Sequence, residues 1–92
     1  MTILDFYADW CSPCKSLAPS LEKVANEKGI NLVKINVEED SDKILEDLGV
    51  NWPVNVRNIP TVIAINENGD ELARFTGTKS EADINNFFES LN

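Results

Sequence analysis

The sequence is centred on the stretch Trp10-Cys11-Ser12-Pro13-Cys14-Lys15, which contains both cysteines of the chain. The stretch follows an apolar run and precedes a pattern of apolar residues at helical spacing. A separation of three positions lets the two sulfurs meet within one tight turn at the start of a helix. Because a helix N-terminus carries about half a positive elementary charge, it lowers the pKa of a thiol placed there and makes it nucleophilic. The stretch therefore predicts a redox-active cysteine pair.

The composition predicts one soluble globular domain over residues 1–92, with an excess of acidic side chains. Sixteen acidic and eight basic residues give a net charge of −8. This argues against nucleic-acid partners, whose phosphates bind clustered Lys and Arg, and against anionic membrane surfaces. The sequence shows neither a run of about 18 apolar residues nor a basic region followed by an apolar one, so we expect no membrane span and no secretory signal. We therefore expect a cytoplasmic, reducing location, where a Cys-x-x-Cys pair is typical of catalysis or metal binding.

Hydrophobic periodicity, continuous apolar runs and turn or capping residues predict seven elements in the order β-α-β-α-β-β-α. Strands are expected at residues 3–8, 31–37, 61–65 and 71–76, and helices at residues 14–28 and 41–48. A terminal helix follows Ser80, and its apolar stripe is Ile84, Phe87, Phe88 and Leu91. Ser41 and Ser80 are predicted helix caps, and Pro19 is predicted to kink the first helix. The pattern favours an α/β fold with a four-stranded mixed sheet and helices on both faces.

Several segments of the chain resemble the thioredoxin family. Residues 5–15 with Ala18-Pro19 are similar to its active-site block, and Asn58-Ile59-Pro60-Thr61 resembles its cis-proline segment. Asn68-Gly69 and Phe75-Thr76-Gly77 stand where the family has its hairpin and final glycine. The resemblance covers nearly the whole chain and implies the thioredoxin fold. It departs from the family in three respects: the usual leading strand and helix are missing, the loop at residues 49–58 is longer, and Ser12 and Tyr7 replace Gly and Trp.

The two cysteines are assigned different roles. Disulfide exchange needs an accessible thiolate and a second thiol that resolves the mixed disulfide. Cys11 is the predicted nucleophile, because the turn can expose it and the helix dipole favours its thiolate, and Cys14 is the predicted resolving thiol. Pro13 suits the opening turn of the helix, where its missing N–H would be unpaired in any case. A structural disulfide and a metal cluster shared between two chains stay open as alternatives; one chain with two cysteines and no histidine cannot complete a usual zinc site, so no metal is expected.

Asp5 is a carboxyl residue in the middle of a predicted buried strand, where burial raises its pKa. The resemblance implies that Asp5 lies behind Cys14 and relays its proton, and that Lys34 is the lysine partner of this acid. In the alternative interpretation, Asp5 faces solvent at a strand edge and Lys34 is an ordinary surface lysine.

Pro60 is expected to complete the site. The resemblance implies that its peptide bond is cis, that it faces the cysteines, and that Ile59 pairs through its backbone with an extended substrate. Trp10 and Gly77 would flank this segment as a flat apolar surface. The alternative for Pro60 is a trans proline that opens a strand. Trp52 is expected to pack as a loop anchor, with an extension of the substrate surface as the other interpretation.

Three functions are compatible with these residues. The first is a thiol–disulfide oxidoreductase that reduces protein disulfides and, by resemblance, receives electrons from a thioredoxin reductase. The second is a glutaredoxin-like enzyme coupled to glutathione, and the third is a non-catalytic binding module; an oxidant or isomerase is opposed by the lack of a signal peptide. The sequence has no G-x-G-x-x-G fingerprint, so no nicotinamide or flavin cofactor is expected. A monomer is expected.

Overall fold

The fold is known from a computed structural model that describes residues 1–91, and it confirms the predicted order of elements with small shifts at their ends. The elements are β1 (Thr2–Tyr7), α1 (Ser12–Lys28), β2 (Asn31–Asn36), α2 (Asp42–Asp47), β3 (Thr61–Ile65), β4 (Glu71–Thr76) and α3 (Glu81–Glu89).

The four strands form one mixed sheet in the order β2-β1-β3-β4. β1 and β2 are parallel, whereas β3 is antiparallel to both of its neighbours. The register places Asp5 of β1 opposite Lys34 on one side and opposite Val62 on the other. Asp5 is therefore on an inner strand, with an edge strand beside it.

Helices cover both faces of the sheet, as the sequence predicts. α1 and α3 pack on one face, where the buried core comprises Ile3, Leu17, Leu21, Val24, Ala25, Val62, Ala64, Phe75, Ile84 and Phe88. α2 and the segment at residues 49–58 pack on the other face, over Leu4, Phe6, Ile35, Val50, Ile63 and Ile65. Because side chains alternate along a strand, Asp5 shares the α1 face with Ile3.

α1 begins where the sequence contains the cysteine motif. Cys11 is the N-cap residue, and its sulfur accepts a hydrogen bond from the Cys14 N–H at 3.2 Å. Pro13 lies in the first turn, as predicted, and Gly29 ends the helix in the left-handed conformation with φ 66°. Pro19 lies inside α1, and the kink expected there stays a prediction.

The two predicted serine caps have different outcomes. Ser80 caps α3 as expected, because its hydroxyl oxygen accepts a hydrogen bond from the Asp83 N–H at 3.1 Å. The prediction for Ser41 is wrong: its side chain forms no capping bond at the start of α2. Asp40 replaces it, since its carboxylate accepts the Asp42 N–H at 3.0 Å and closes a local turn.

The segment at residues 49–58 is fixed over the sheet by hydrogen bonds of Trp52 and Asn55. The Trp52 indole N–H donates to the Gly69 carbonyl at 2.7 Å, which confirms Trp52 as a loop anchor. Arg74 of β4 donates to the Asn55 carbonyl at 3.0 Å. The Gly49 and Gly69 backbones touch, and a Cβ atom on Gly69 would overlap the Gly49 carbonyl. No helix within residues 1–91 is both long enough and apolar enough to cross a bilayer.

Candidate active site

Cys11 and Cys14 form a disulfide at the N-terminus of α1, with their Cα atoms 5.3 Å apart. The Cys14 N–H points at the Cys11 sulfur, and with the helix dipole it favours negative charge there when the bond is reduced. Within residues 1–91 no three His, Cys, Asp or Glu side chains are grouped to hold a metal ion. The bonded sulfurs at the helix cap have the geometry of the oxidised form of a dithiol–disulfide couple.

The expected exposure of Cys11 is wrong for this oxidised form. Cys11 is 3% exposed and Cys14 is 4% exposed, so access does not distinguish the two residues. The pair is buried because Ala8, Tyr7 and Ile59 pack against it. The distinction between the sulfurs lies in the helix cap, where Cys11 alone accepts the backbone N–H.

Pro60 lies at the same end of the sheet as the cysteines. Its bond to Ile59 is cis, as expected, so the alternative of a trans proline is wrong. The Pro60 carbonyl accepts a hydrogen bond from the Gly77 N–H at 2.9 Å, which joins these two predicted site residues. Ile59 packs against the disulfide, and Trp10 beside it is 67% exposed. Apolar side chains therefore pack against the cysteine pair on the side of Ile59.

Asp5 lines a cavity of about 140 Å³ together with Cys14. The lining residues are Asp5, Tyr7, Ala8, Asp9, Cys14, Lys15, Ala18 and Lys34. Asp5 is only 3% exposed, so the interpretation as a solvent-facing residue is wrong. Burial raises its pKa to about 6; the positive charge of Lys34 opposes this rise, and the negative charge of Glu22 adds to it. A carboxyl with that pKa can hold or release a proton near neutral pH.

Lys34 is placed beside Asp5 but makes its ion pair with another residue. Its ammonium lies 2.7 Å from the Glu22 carboxylate of α1, and both side chains are about half exposed. The hydrogen bond to Glu22 is the main reason that the pKa of Lys34 is raised. Within residues 1–91, no ion pair joins Lys34 to Asp5.

Glu22 was not among the predicted site residues, although the sequence contains a signal for it. Cys14, Ala18 and Glu22 are spaced four residues apart, which places them along one face of a helix. Cys14 and Ala18 line the Asp5 cavity, so the stripe continues from the cysteine towards the lysine of β2.

The sequence model of the Thioredoxin family matches residues 1–90. The chain belongs to the thioredoxin family. It is 37% identical over 91 residues to mitochondrial thioredoxin of Mus musculus, which covers 97% of this chain and 50% of that protein. It is 34% identical over 90 residues to thioredoxin of Buchnera aphidicola, covering 95% of this chain and 75% of that protein.

The thioredoxin fold is shown by solved structures as well. Thioredoxin 1 of Thermosipho africanus superposes with a TM-score of 0.73 at 29% identity, covering 98% of this chain and 92% of that one. Schistosoma mansoni thioredoxin superposes with a TM-score of 0.75 at 26% identity, covering 99% of this chain and 78% of that one. The chain spans about half the length of the mitochondrial thioredoxins that it matches.

Proposed function

We propose that this thioredoxin-family domain is a thiol–disulfide oxidoreductase that reduces disulfides in other proteins. The observation that carries the proposal is the bonded Cys11–Cys14 pair, in which the helix cap of α1 stabilises charge on one sulfur. Membership in the thioredoxin family supports the same chemistry.

The reaction takes two exchange steps. The Cys11 thiolate attacks one sulfur of the substrate disulfide, which forms a mixed disulfide and releases the first substrate thiolate. The Cys14 thiolate then attacks the Cys11 sulfur and releases the second substrate thiolate, leaving the Cys11–Cys14 disulfide. Two electrons have passed from the domain to the substrate.

Asp5 serves the second step as the proton acceptor for Cys14. The two residues line one cavity behind the disulfide, and burial keeps the Asp5 carboxyl exchangeable near pH 6. A base is most effective when its pKa is close to the working pH. The positive charge of Lys34, on the neighbouring strand, limits the rise in the pKa of Asp5.

The substrate binds across the apolar surface beside the cysteines. Ile59 offers backbone N–H and C=O groups to an extended segment of the substrate, in the manner of an added strand. The exposed Trp10 indole contributes apolar contact, while Pro60 and Gly77 shape the surface through their hydrogen bond. Pro13 and Pro19 support the helix that carries the cysteines.

Each cycle must be completed by an outside donor of two electrons and two protons. A thioredoxin reductase is the proposed donor, with glutathione as the competing one. The domain itself is proposed to act as a monomer in the cytoplasm, without a nicotinamide or flavin of its own and without nucleic acid or membrane as a partner.

Substitution of the cysteines tests the proposal. With insulin as the disulfide substrate, Cys11→Ser should abolish reduction, whereas Cys14→Ser should accumulate a mixed disulfide that gel electrophoresis and mass spectrometry detect. Ser16→Ala, on an exposed position of α1, is the control and should keep wild-type activity. Parent-level activity in Cys11→Ser would overturn the proposal, and a function retained by the double Cys→Ala protein would favour a binding module.

A second assay identifies the donor. The oxidised domain is offered either NADPH with a thioredoxin reductase or glutathione as the only source of electrons. Rapid turnover with the reductase and a reduction potential of about −270 mV support the proposed donor. Turnover with glutathione alone, at a potential above about −200 mV, would assign the domain to the glutathione-coupled class.

A further inference from the structure

The ion pair between Lys34 and Glu22 lies at the edge of the Asp5 cavity. Lys34 projects from β2 at the register position opposite Asp5, and Glu22 reaches it from α1. The ammonium and the Glu22 carboxylate are 2.7 Å apart, so the lysine is held on the helix side. Two carboxyl groups, one buried and one exposed, are therefore neighbours of a single ammonium.

Asp5 has other charged or titratable neighbours besides Lys34 and Glu22, but their charges act on it less. Val62, its partner on β3, is apolar. The groups that share its cavity come from β1, the loop after it, α1 and β2, and they are Tyr7, Asp9, Cys14, Lys15 and Lys34. Lys34 is the cation whose charge acts most on Asp5, and Glu22 is the anion that acts most.

We propose that Glu22 is a positioning residue, which anchors the Lys34 ammonium on α1 and thereby sets how much of its charge reaches the Asp5 carboxylate. This inference rests on the proposed function, because it concerns the residue that takes the Cys14 proton. Glu22 touches neither substrate nor sulfur; it acts through Lys34.

Asp5 and Glu22 compete for one flexible cation, the Lys34 ammonium. A lysine side chain is long and rotatable, and its ammonium moves to the stronger anionic partner. While Glu22 is charged, it holds the ammonium and also repels negative charge on Asp5, so Asp5 keeps its proton to higher pH. Because both partners are about half exposed, salt screens the pair and its effect is modest.

The substitution Glu22→Gln tests the proposal in the oxidised protein, where the cysteines do not titrate. It removes the charge with little change in shape, so Lys34 is free to approach Asp5. The Asp5 titration, followed by carboxyl ¹³C NMR, should shift down by about half a pH unit at low salt and by less at 0.5 M salt. Glu81→Gln is the matched control, since Glu81 pairs with Lys23 at 2.9 Å on an exposed surface.

A double-mutant cycle separates the effect that Glu22 exerts through Lys34 from the direct effect of its own charge on Asp5. In a Lys34→Gln background, the shift caused by Glu22→Gln should fall by at least half. An equal shift in both backgrounds would overturn the positioning role, because Glu22 would then act by its own field. A shift no larger than that of Glu81→Gln would overturn it too.

Activity separates this inference from the proposed function. The pH profile of insulin reduction by Glu22→Gln should move down with the Asp5 titration. If the titration moves and the profile does not, the positioning of Lys34 stands and the proton relay through Asp5 is overturned. If the Cys11→Ser variant stays active, the oxidoreductase proposal fails, whereas the NMR result is unaffected.

Discussion

Asp5 is a carboxyl residue that the fold buries on an inner strand, and its protonation must therefore be linked to stability. Its pKa is raised from 3.8 to about 6, chiefly by loss of water. Between these two pH values the folded state binds more protons than the unfolded state, so the free energy of unfolding falls as pH rises. The loss is complete above the folded-state pKa.

The substitution Asp5→Asn should remove this pH-dependent loss. We expect Asp5→Asn to raise the free energy of unfolding by about 3 kcal/mol at pH 8 and to change it little at pH 3.5. Urea unfolding of the oxidised protein at both pH values measures the difference. Glu67→Gln, in the exposed hairpin turn, is the control and should have no such pH dependence. A gain that is equal at both pH values would contradict the linkage.

The same carboxyl should limit catalysis on the acid side. Asp5→Asn cannot accept the Cys14 proton, so release of the mixed disulfide should slow by about 10²-fold at pH 7, while attack by Cys11 is unchanged. Single-turnover measurements separate the two steps. Slowing of the first step instead would place Asp5 in a different role.

Residue chemistry could be predicted wherever it followed from local sequence. The pairing of Cys11 with Cys14, the buried Asp5 and the cis bond before Pro60 were all anticipated, because each has a strong short-range pattern or family signature. The burial of Cys11 was not anticipated, because Ile59 covers this residue from a distant part of the chain. Glu22 was missed for a related reason: its partner lies on another element.

At the level of elements, the order and type of all seven were predictable from helical spacing, alternation, continuous apolar runs, and turn or capping residues. Ends were less so. Ser41 precedes α2 as a cap should, but Asp40 offers a nearer acceptor for the same turn and takes its place. A serine and an aspartate in sequence give no local signal that ranks one above the other.

Gly69 shows how the hairpin between β3 and β4 and the segment at residues 49–58 depend on each other. Its φ is 86°, a conformation that is strained for any residue with a side chain. In addition, a methyl group on Gly69 would overlap the Gly49 backbone. Gly69→Ala should cost about 2 to 5 kcal/mol of stability, measured by urea unfolding.

Gly29→Ala is the matched control for that substitution. Gly29 has φ 66° but no atom within 4 Å of an added Cβ, so it carries the backbone cost alone. We expect a loss of about 1 to 2 kcal/mol there. Equal losses at both positions would mean that the contact between Gly49 and Gly69 contributes nothing.

The whole molecule has a net charge of −8, and part of that charge lies near the site. β1 and β2 are parallel, so their C-terminal ends lie at the same end of the sheet. The acidic residues that follow these strands, Asp9 and residues 38–40, are therefore at the end of the sheet where the cysteines lie. A field of one sign steers oppositely charged partners and is screened by salt.

A substrate charge series tests this steering. Of two disulfide peptides of equal length, the basic one should be reduced about tenfold faster than the acidic one at low ionic strength, and the ratio should approach one at 0.5 M salt. Glu38→Gln with Glu39→Gln should narrow the ratio. Glu67→Gln with Asp70→Asn, at the far end of the sheet, should leave it unchanged; equal narrowing by both pairs would contradict a local origin.

Within residues 1–91, β2 has a neighbouring strand on one side only. Its outer edge thus presents backbone groups that any extended chain could use to aggregate. Lys34 lies within this strand, and a charged side chain there makes the addition of a foreign strand unfavourable because its ammonium would lose water. We therefore expect the lysine that Glu22 holds to oppose edge-to-edge pairing of β2 with strands of other molecules.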